Sequence, residues 1–358
     1  MSSASAGLPD RPDVRILLGD IKDNPGEDRL RLILADWLEE NGAGLVDQAR
    51  AEVIRVGVAQ ARLPANAPER FELNLRARAL QHQWMNAWLG PLGAFFGAGT
   101  TVACVRGLLS VTLPASRCRS QTLSALAESE AWQWVEEVSI TSARDDEVVQ
   151  LRNCPLLRSI GALAFVGNQI QRTGARVLAE MPWLSRLFHL DLTLNPIGDA
   201  GLQALLASPR LEHLTSLELG NCQLTAAAGP TLAEWPGFAR LERLIVWGNR
   251  LGNSGIAALS AAAAPRLAVL DVRGNTVGDP GGSALARARS WPALRELYLA
   301  DNQLGPLTAE ALAIAPGFAT LTSLTLWGNP ISAGSAARLR ERFGRRVHLP
   351  GERGGGVS

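Results

Sequence analysis

The chain has 358 residues, an apolar share of 47% and a formal net charge of +1. That length exceeds one ordinary domain unless the chain is a repeat array, and the apolar share suffices for a large core. The near-zero charge excludes a whole-molecule pull on nucleic acid or an anionic membrane, and the four cysteines and four histidines lack the spacing of a zinc site or a disulfide framework.

Residues 1–12 read as a flexible N-terminus, without the basic start and apolar run of a signal peptide. Residues 13–92 read as a small all-α domain. Apolar residues at Leu17, Leu18 and Ile21, then at Leu30, Ile33, Leu34, Trp37 and Leu38, give helical spacing on both sides of the turn "DNPGED". "VDQARAEVIRVGVAQARLP" and "APERFELNLRARALQHQWMNAWLG" supply two further amphipathic helices. The stretch "LILADWLEENG" draws notice for its acids. Adjacent exposed glutamates at a helix end provide neither the shared pocket nor the shifted pKa values that acid–base chemistry needs. Trp37 is therefore expected as a core anchor of this domain, and Asp36 as the ion-pair partner of an arginine such as Arg31 or Arg55.

Residues 93–149 read as linker and degenerate capping repeats. "LGPLGAFFGAGTTVACV", Leu89 to Val105, is uncharged but too short and too rich in glycine to span a bilayer, so a buried linker is expected. "RGLLSVTLP" and "VEEVSI" have strand character, and "SQTLSALAESEAW" reads as a helix.

Residues 150–349 carry a repeat. "IGALAFVGNQI", "LFHLDLTLNPI", "LTSLELGNCQL", "LERLIVWGNRL", "LAVLDVRGNTV", "LRELYLADNQL" and "LTSLTLWGNPI" share the pattern L-x-x-L-x-L-x-x-[N/C]-x-L. The polar position falls at Asn168, Asn195, Cys222, Asn249, Asn275, Asn302 and Asn329, at intervals of 27, 27, 27, 26, 27 and 27 residues. The x-L-x-L part alternates and predicts a short strand. The residues after the Asn carry apolar positions at helical spacing, as in "IGDAGLQALLASP". The asparagines form an expected structural ladder, because an amide can fill backbone donors and acceptors that a buried turn would leave unpaired. Residues 350–358, "PGERGGGVS", read as a disordered tail.

Alternation also sets which residues leave the strand face. Trp247, Arg273, Tyr298 and Trp327, with Asp191, Glu218, Arg243, Asp271 and Asp301 around them, are the expected partner-binding residues. Rigidly held aromatics beside Arg and Asp suit a protein hot spot.

Two resemblances follow from these residues. "RLRLILADWLEENG", "ARAEVIRVGVAQARLP" and "WLGPL" resemble a bacterial repeat-companion domain over Val14–Leu92, departing from it at the loop "GAGLVDQ"; that family brings no activity. Residues 150–348 are similar to leucine-rich repeats of the ribonuclease-inhibitor class, which includes Ran GTPase-activating proteins. The resemblance implies an α/β solenoid, a horseshoe with parallel strands on the concave face and helices outside. No G-x-S-x-G, H-E-x-x-H, Walker or dinucleotide motif occurs in a fitting context. The expected function is a non-enzymatic protein–protein interaction scaffold, a monomer of the cytoplasm with a protein partner and no cofactor, nucleic acid or membrane. The alternative is regulation of a GTPase.

Overall fold

A computed structural model describes residues 11–63, 67–97, 99–119 and 123–350. The expected flexible N-terminus (apart from Arg11 and Pro12), the tail beyond Pro350 and the first three residues of "SQTLSALAESEAW" lie outside them. The chain divides into two compact units, residues 1–141 with 150–164, and residues 142–149 with 165–358.

The first unit opens with helices α1 (Pro12–Asp23), α2 (Asp28–Asn41), α3 (Leu45–Arg62), α4 (Glu69–Leu89) and the short α5 (Leu92–Phe95). Pro12 presets the first helical φ of α1, and Val14, Leu18 and Ile21 line its buried face. The α2 helix stops at Gly42, where a Cβ would lie 2.1 Å from the Leu38 carbonyl oxygen. The α3 helix packs between α2 and α4 and is buried on two faces, with Ala49, Val53 and Val56 on one and Ala51, Ile54 and Val58 on the other. Each fully buried valine or isoleucine stabilises by roughly 1.5–3 kcal/mol over exposure.

Strand β1 (Thr101–Val105) then pairs antiparallel with β2 (Leu108–Pro114). The turn between them is Arg106-Gly107, with φ of 48° and 90°, the left-handed pair that a two-residue hairpin needs. A Cβ on Gly107 would meet Ile54 at 2.1 Å, and one on Gly57 would meet the Arg106 Cα at 2.6 Å, so glycines on both sides let α3 approach the turn. Short helices α6 (Leu123–Glu128) and α7 (Glu130–Gln133) lead into β3 (Val135–Thr141), parallel to β2. Helix α8 (Asp145–Gln150) starts in the second unit, and β4 (Ala162–Ala164) returns to pair with β3.

Two sequence expectations change here. Thr101–Val105 is an edge strand, not linker; its residues alternate between exposed and half-buried, which a Gly/Thr-rich composition disguises. The helices also do not end their unit at residue 92. Arg31, with 1% of its side chain exposed, donates to Glu136 of β3 at 2.7 Å. Arg11 pairs with Glu130 at 2.6 Å and Asp47 at 2.8 Å, and Lys22 donates to the Ser159 carbonyl at 3.0 Å. Three of these contacts, to Glu130, Glu136 and Ser159, tie the helices to the segment that follows them.

The second unit continues with α9 (Arg172–Ala179), β5 (His189–Asp191), α10 (Gly198–Leu206), β6 (Ser216–Glu218), α11 (Ala228–Glu234), β7 (Arg243–Ile245), α12 (Gly252–Ala261), β8 (Val269–Asp271), α13 (Asp279–Ala286), β9 (Glu296–Tyr298), α14 (Pro306–Ile314), β10 (Ser323–Thr325), α15 (Ala333–Phe343) and β11 (Val347–His348). Strands β5 to β11 pair in parallel, each with the next. Leu190, Leu217, Leu244, Leu270, Leu297 and Leu324 stand in one register row and are buried. Consecutive helices from α9 to α15 also pack on one another. Strands stack ~4.8 Å apart while helices need ~8–10 Å, so this solenoid bends with its strands inside.

Candidate functional site

What holds the strand face rigid is the row of polar side chains behind it. Asn249 shows the arrangement. Its amide nitrogen donates to the carbonyls of Leu219 and Val246, both at 2.8 Å, and its oxygen accepts the N–H groups of Cys222 and Leu224, both at 3.0 Å. Asn195, Asn275, Asn302 and Asn329 repeat it, each bonding the carbonyl three residues back and one in the preceding unit, and accepting at least one N–H. Asn168 accepts from the Ala143 N–H at 2.8 Å. Cys222 keeps half of this chemistry: its thiol donates to the Leu192 carbonyl at 3.1 Å, and burial pushes its pKa up to about 12. A thiol held neutral in this way is a poor nucleophile.

The residue before each ladder position is left-handed: Gly167, Leu194, Asn221, Gly248, Gly274, Asp301 and Gly328, with φ between 52° and 71°. This turn ends each strand and sends the chain toward the helix layer. Glycine, Asn and Asp tolerate it; Leu194 is the departure.

In front of the ladder, register places Asp191, Glu218, Ile245, Asp271, Tyr298 and Thr325 in one column. Two residues on, the next column reads Thr193, Gly220, Trp247, Arg273, Ala300 and Trp327. The columns are unequal. Trp247 and Trp327 are half-buried, Arg243 and Asp301 are exposed, and Asp191, Glu218, Arg273 and Tyr298 are half-buried. A Cβ on Gly220 would lie 2.4 Å from the Trp247 Nε1, so the indole lies over the glycine of the preceding unit.

Arg273 is fixed from two sides. Its Nε and Nη2 donate to the Asp271 carboxylate at 2.9 and 2.6 Å, and its guanidinium stands 5.6 Å from the centroid of the Tyr298 ring. The Asp271 hydrogen bond raises the arginine pKa further, against the pull of burial. Tyr298 in turn donates to Glu296 at 2.6 Å, and burial, then this bond, raise its own pKa. Asp271 is therefore not the free rim acid that the sequence suggested. It is 3% exposed and committed to Arg273, since two residues separated by one on a strand share a face and can pair.

In the first unit, Arg55 bridges Asp36, at 2.5 Å, and Glu39. Trp37 is half-buried, not sealed in the core as the pattern suggested; the buried residues of α2 are Arg31, Leu34, Ala35 and Leu38. Its ring lies under Arg11, whose guanidinium carbon is 6.0 Å from the centroid. The sealed tryptophans there are Trp88, Trp132 and Trp134. Arg50 stacks 3.9 Å from Trp134 and 5.5 Å from Trp88, and burial pulls its pKa down to about 10.

Sequence reading missed a second polar row. Asp145, Asp199, Asn253 and Asp279 each accept backbone N–H groups of the next unit, from Gln171, Thr225, Gly278 and Gly305 respectively. Its signal was present as "NPIGD", "NRLGN" and "NTVGD", an Asp or Asn four residues after the ladder position. Among the described residues no group of three or more His, Cys, Asp and Glu could hold a metal ion, and no helix is long and apolar enough to cross a membrane.

A family model described as "Leucine Rich repeat" matches residues 187–206 and 267–286. Ribonuclease inhibitor of Sus scrofa is 34% identical over 191 residues, covering 49% of this chain and 40% of that protein. NACHT, LRR and PYD domains-containing protein 5 of Homo sapiens is 37% identical over 101 residues, covering 27% of this chain and 7% of that protein. The chain thus spans less than half the length of these relatives. Among solved structures, an internalin from Listeria monocytogenes has 21% identity and a TM-score of 0.42, covering 65% of this chain and 57% of its own. A structure of the Rad7 and Elc1 complex in yeast has 13% identity and a TM-score of 0.45, covering 96% and 99%. The second unit is thus a solenoid that carries leucine-rich repeats, and the chain is similar to ribonuclease inhibitor over 191 residues.

Proposed function

We propose that this leucine-rich-repeat protein is a non-enzymatic scaffold that binds a partner protein on the strand face of its second unit. Trp247, Arg273, Tyr298 and Trp327 form the contact, with Asp191, Glu218, Arg243 and Asp301 around them. The observation that carries the reading is the fixing of Arg273 between Asp271 and Tyr298 beside a Trp247 seated on Gly220. Side chains already ordered lose little entropy on binding, and large aromatics with arginine are the residues that dominate interface energies. Similarity to a protein named for inhibiting ribonuclease supports a binding role over a catalytic one.

The test is a Trp247→Ala, Tyr298→Ala double substitution. Neither side chain belongs to the leucine core, so the melting temperature should stay within a few degrees. A partner captured from the host by the wild-type chain should be lost, since truncating two hot-spot residues costs at least ~2 kcal/mol each, roughly 30-fold or more apiece in affinity. An unfolded variant would show that these aromatics hold the core. A folded variant that captures the same partner would move the binding surface elsewhere.

A further inference from the structure

Strand β1 is an edge strand of the first unit, and its outer backbone groups can be assigned from the hairpin. Residues flanking a two-residue turn form a hydrogen-bonded pair, so Val105 and Leu108 exchange bonds. The next pair, Cys104 and Leu109, does not, and the N–H and C=O of Cys104 point away from β2. By the same alternation Ala103 faces β2 and Val102 faces outward. An edge with two consecutive outward positions is a template for another strand.

One side chain occupies that template. Gln81 of α4 accepts from the Cys104 N–H through its Oε1 at 3.2 Å and donates through its Nε2 to the Cys104 carbonyl at 3.2 Å. A primary amide is a peptide group in miniature, and this one makes both bonds that an incoming strand would make at that residue. Its neighbour Leu80 sits in the cluster formed with Ala49, Val53 and Trp88, against which Cys104 also packs, so the amide is positioned by the core. The side chains of Thr101, Ala103 and Val105, which alternate with those of Val102 and Cys104, are exposed.

We propose that Gln81 is a guard that closes β1 to strand addition by a second copy of this chain. The occupant follows from the register. Two β1 strands related by a two-fold axis at Ala103 would run antiparallel and set Val102 of each copy opposite Cys104 of the other. Both are outward-facing residues, so four N–H to C=O bonds form from groups already aimed at the partner. With Gln81 in place, the Cys104 half of those bonds is satisfied within the chain. Without it, a partly buried N–H and C=O lose their partners and the second copy supplies them.

Sedimentation equilibrium of the full chain tests this. Gln81→Ala should shift toward twice the wild-type mass at the same concentration, as circular dichroism shows it folded. Adding Val102→Pro removes an outward N–H without touching the β2 pairing and should restore the wild-type mass; Val102→Pro alone should melt like wild type. If Gln81→Ala melts too low to measure, Gln81→Leu keeps the bulk, removes both bonds and carries the same expectation. A folded Gln81 variant with the wild-type mass overturns the proposal. So does association that survives Val102→Pro, since it would arise elsewhere.

Discussion

The two units keep polar groups inside by opposite means. In the second unit one solution recurs: a neutral amide fills a turn, and its partners are the neighbouring unit's backbone. In the first unit every solution is singular, and most use charge. Arg31 reaches Glu136, Arg11 reaches Glu130 and Asp47, Lys22 reaches a carbonyl, and Arg50 lies against two indoles. A neutral amide exchanges its hydrogen bonds with water for similar ones in the protein at modest cost. A buried charge carries a desolvation penalty that only its particular partner offsets. Damage should therefore be larger in the first unit and more local in the second.

The largest effect is expected at Arg31. Removing one member of a buried ion pair costs roughly 3–5 kcal/mol, because the other charge is left behind. Arg31→Ala should lower the denaturation midpoint accordingly, while Arg31→Met with Glu136→Leu should recover much of the loss. A single substitution as mild as the double one would mean that water already solvates Glu136.

Next is the ladder. Asn249→Ala orphans the Leu219 carbonyl and the N–H groups of Cys222 and Leu224, while the Val246 carbonyl keeps its bond from Asn275. Each unsatisfied group costs about 1–3 kcal/mol before water or relaxation compensates, so a net loss of about 3 kcal/mol is expected. Cys222→Ala should cost about 1 kcal/mol, since a thiol is a weak donor. Hydrogen exchange should quicken most around Leu219–Val246 in the Asn249 variant. Equal losses at the two positions would contradict the role assigned to the amide.

These contrasts also mark what could be read in the sequence. The Asn positions, the leucine rows and the outward columns were legible because a period of 27 residues states each rule several times. Nothing of the kind announces Arg31 with Glu136 or Arg11 with Glu130, which lie more than 100 residues apart and occur once. Trp37 was misplaced for the same reason: helical spacing put it beside Leu34 and Leu38, but its cover is Arg11, from before α1. Asp271 fell to the opposite oversight, since its partner is two residues away and alternation alone placed both on one face.

A smaller effect, visible only against pH, is expected at Asp279. Burial opposes ionisation of this carboxyl. Hydrogen bonds from the Thr308 hydroxyl and from the N–H groups of Thr308, Gly305 and Leu307 outweigh it and hold the pKa below the ordinary 3.8. A depressed carboxyl stabilises the fold above its unfolded pKa, and that contribution is lost as pH falls from about 4 through the lower folded value. Asn253 accepts the same kind of N–H as a neutral amide, so Asp279→Asn should fold. It should lose less stability than wild type between about pH 5 and 3, a window of about two units around the carboxylate range. Parallel acid curves for the two proteins would show that the carboxyl gains nothing from its donors.

The smallest effect has the opposite sign and lies within the repeat itself. Six of the seven left-handed turn positions carry Gly, Asn or Asp, and the seventh carries Leu194 at φ 62°. A left-handed conformation costs an L-residue with a full side chain roughly 1–2 kcal/mol. Leu194 is 45% exposed, so burial of its side chain offsets little of that cost. Replacement by Gly removes the clash but gives back roughly 0.5–1 kcal/mol through the freedom of the unfolded chain. Asn removes part of the clash with a smaller entropic loss, as Asn221 does at the equivalent place in the next unit. Leu194→Asn should therefore raise stability by about 0.5–1 kcal/mol, and Leu194→Gly by somewhat less. The reverse exchange, Gly248→Leu, should cost more than either gains, because the new Cβ would also stand 2.9 Å from the Asn221 side-chain oxygen. Denaturant midpoints of the three variants rank these effects. A loss of stability in both Leu194 variants would mean that the exposed leucine earns its place through packing, and the turn rule would then hold at six positions only.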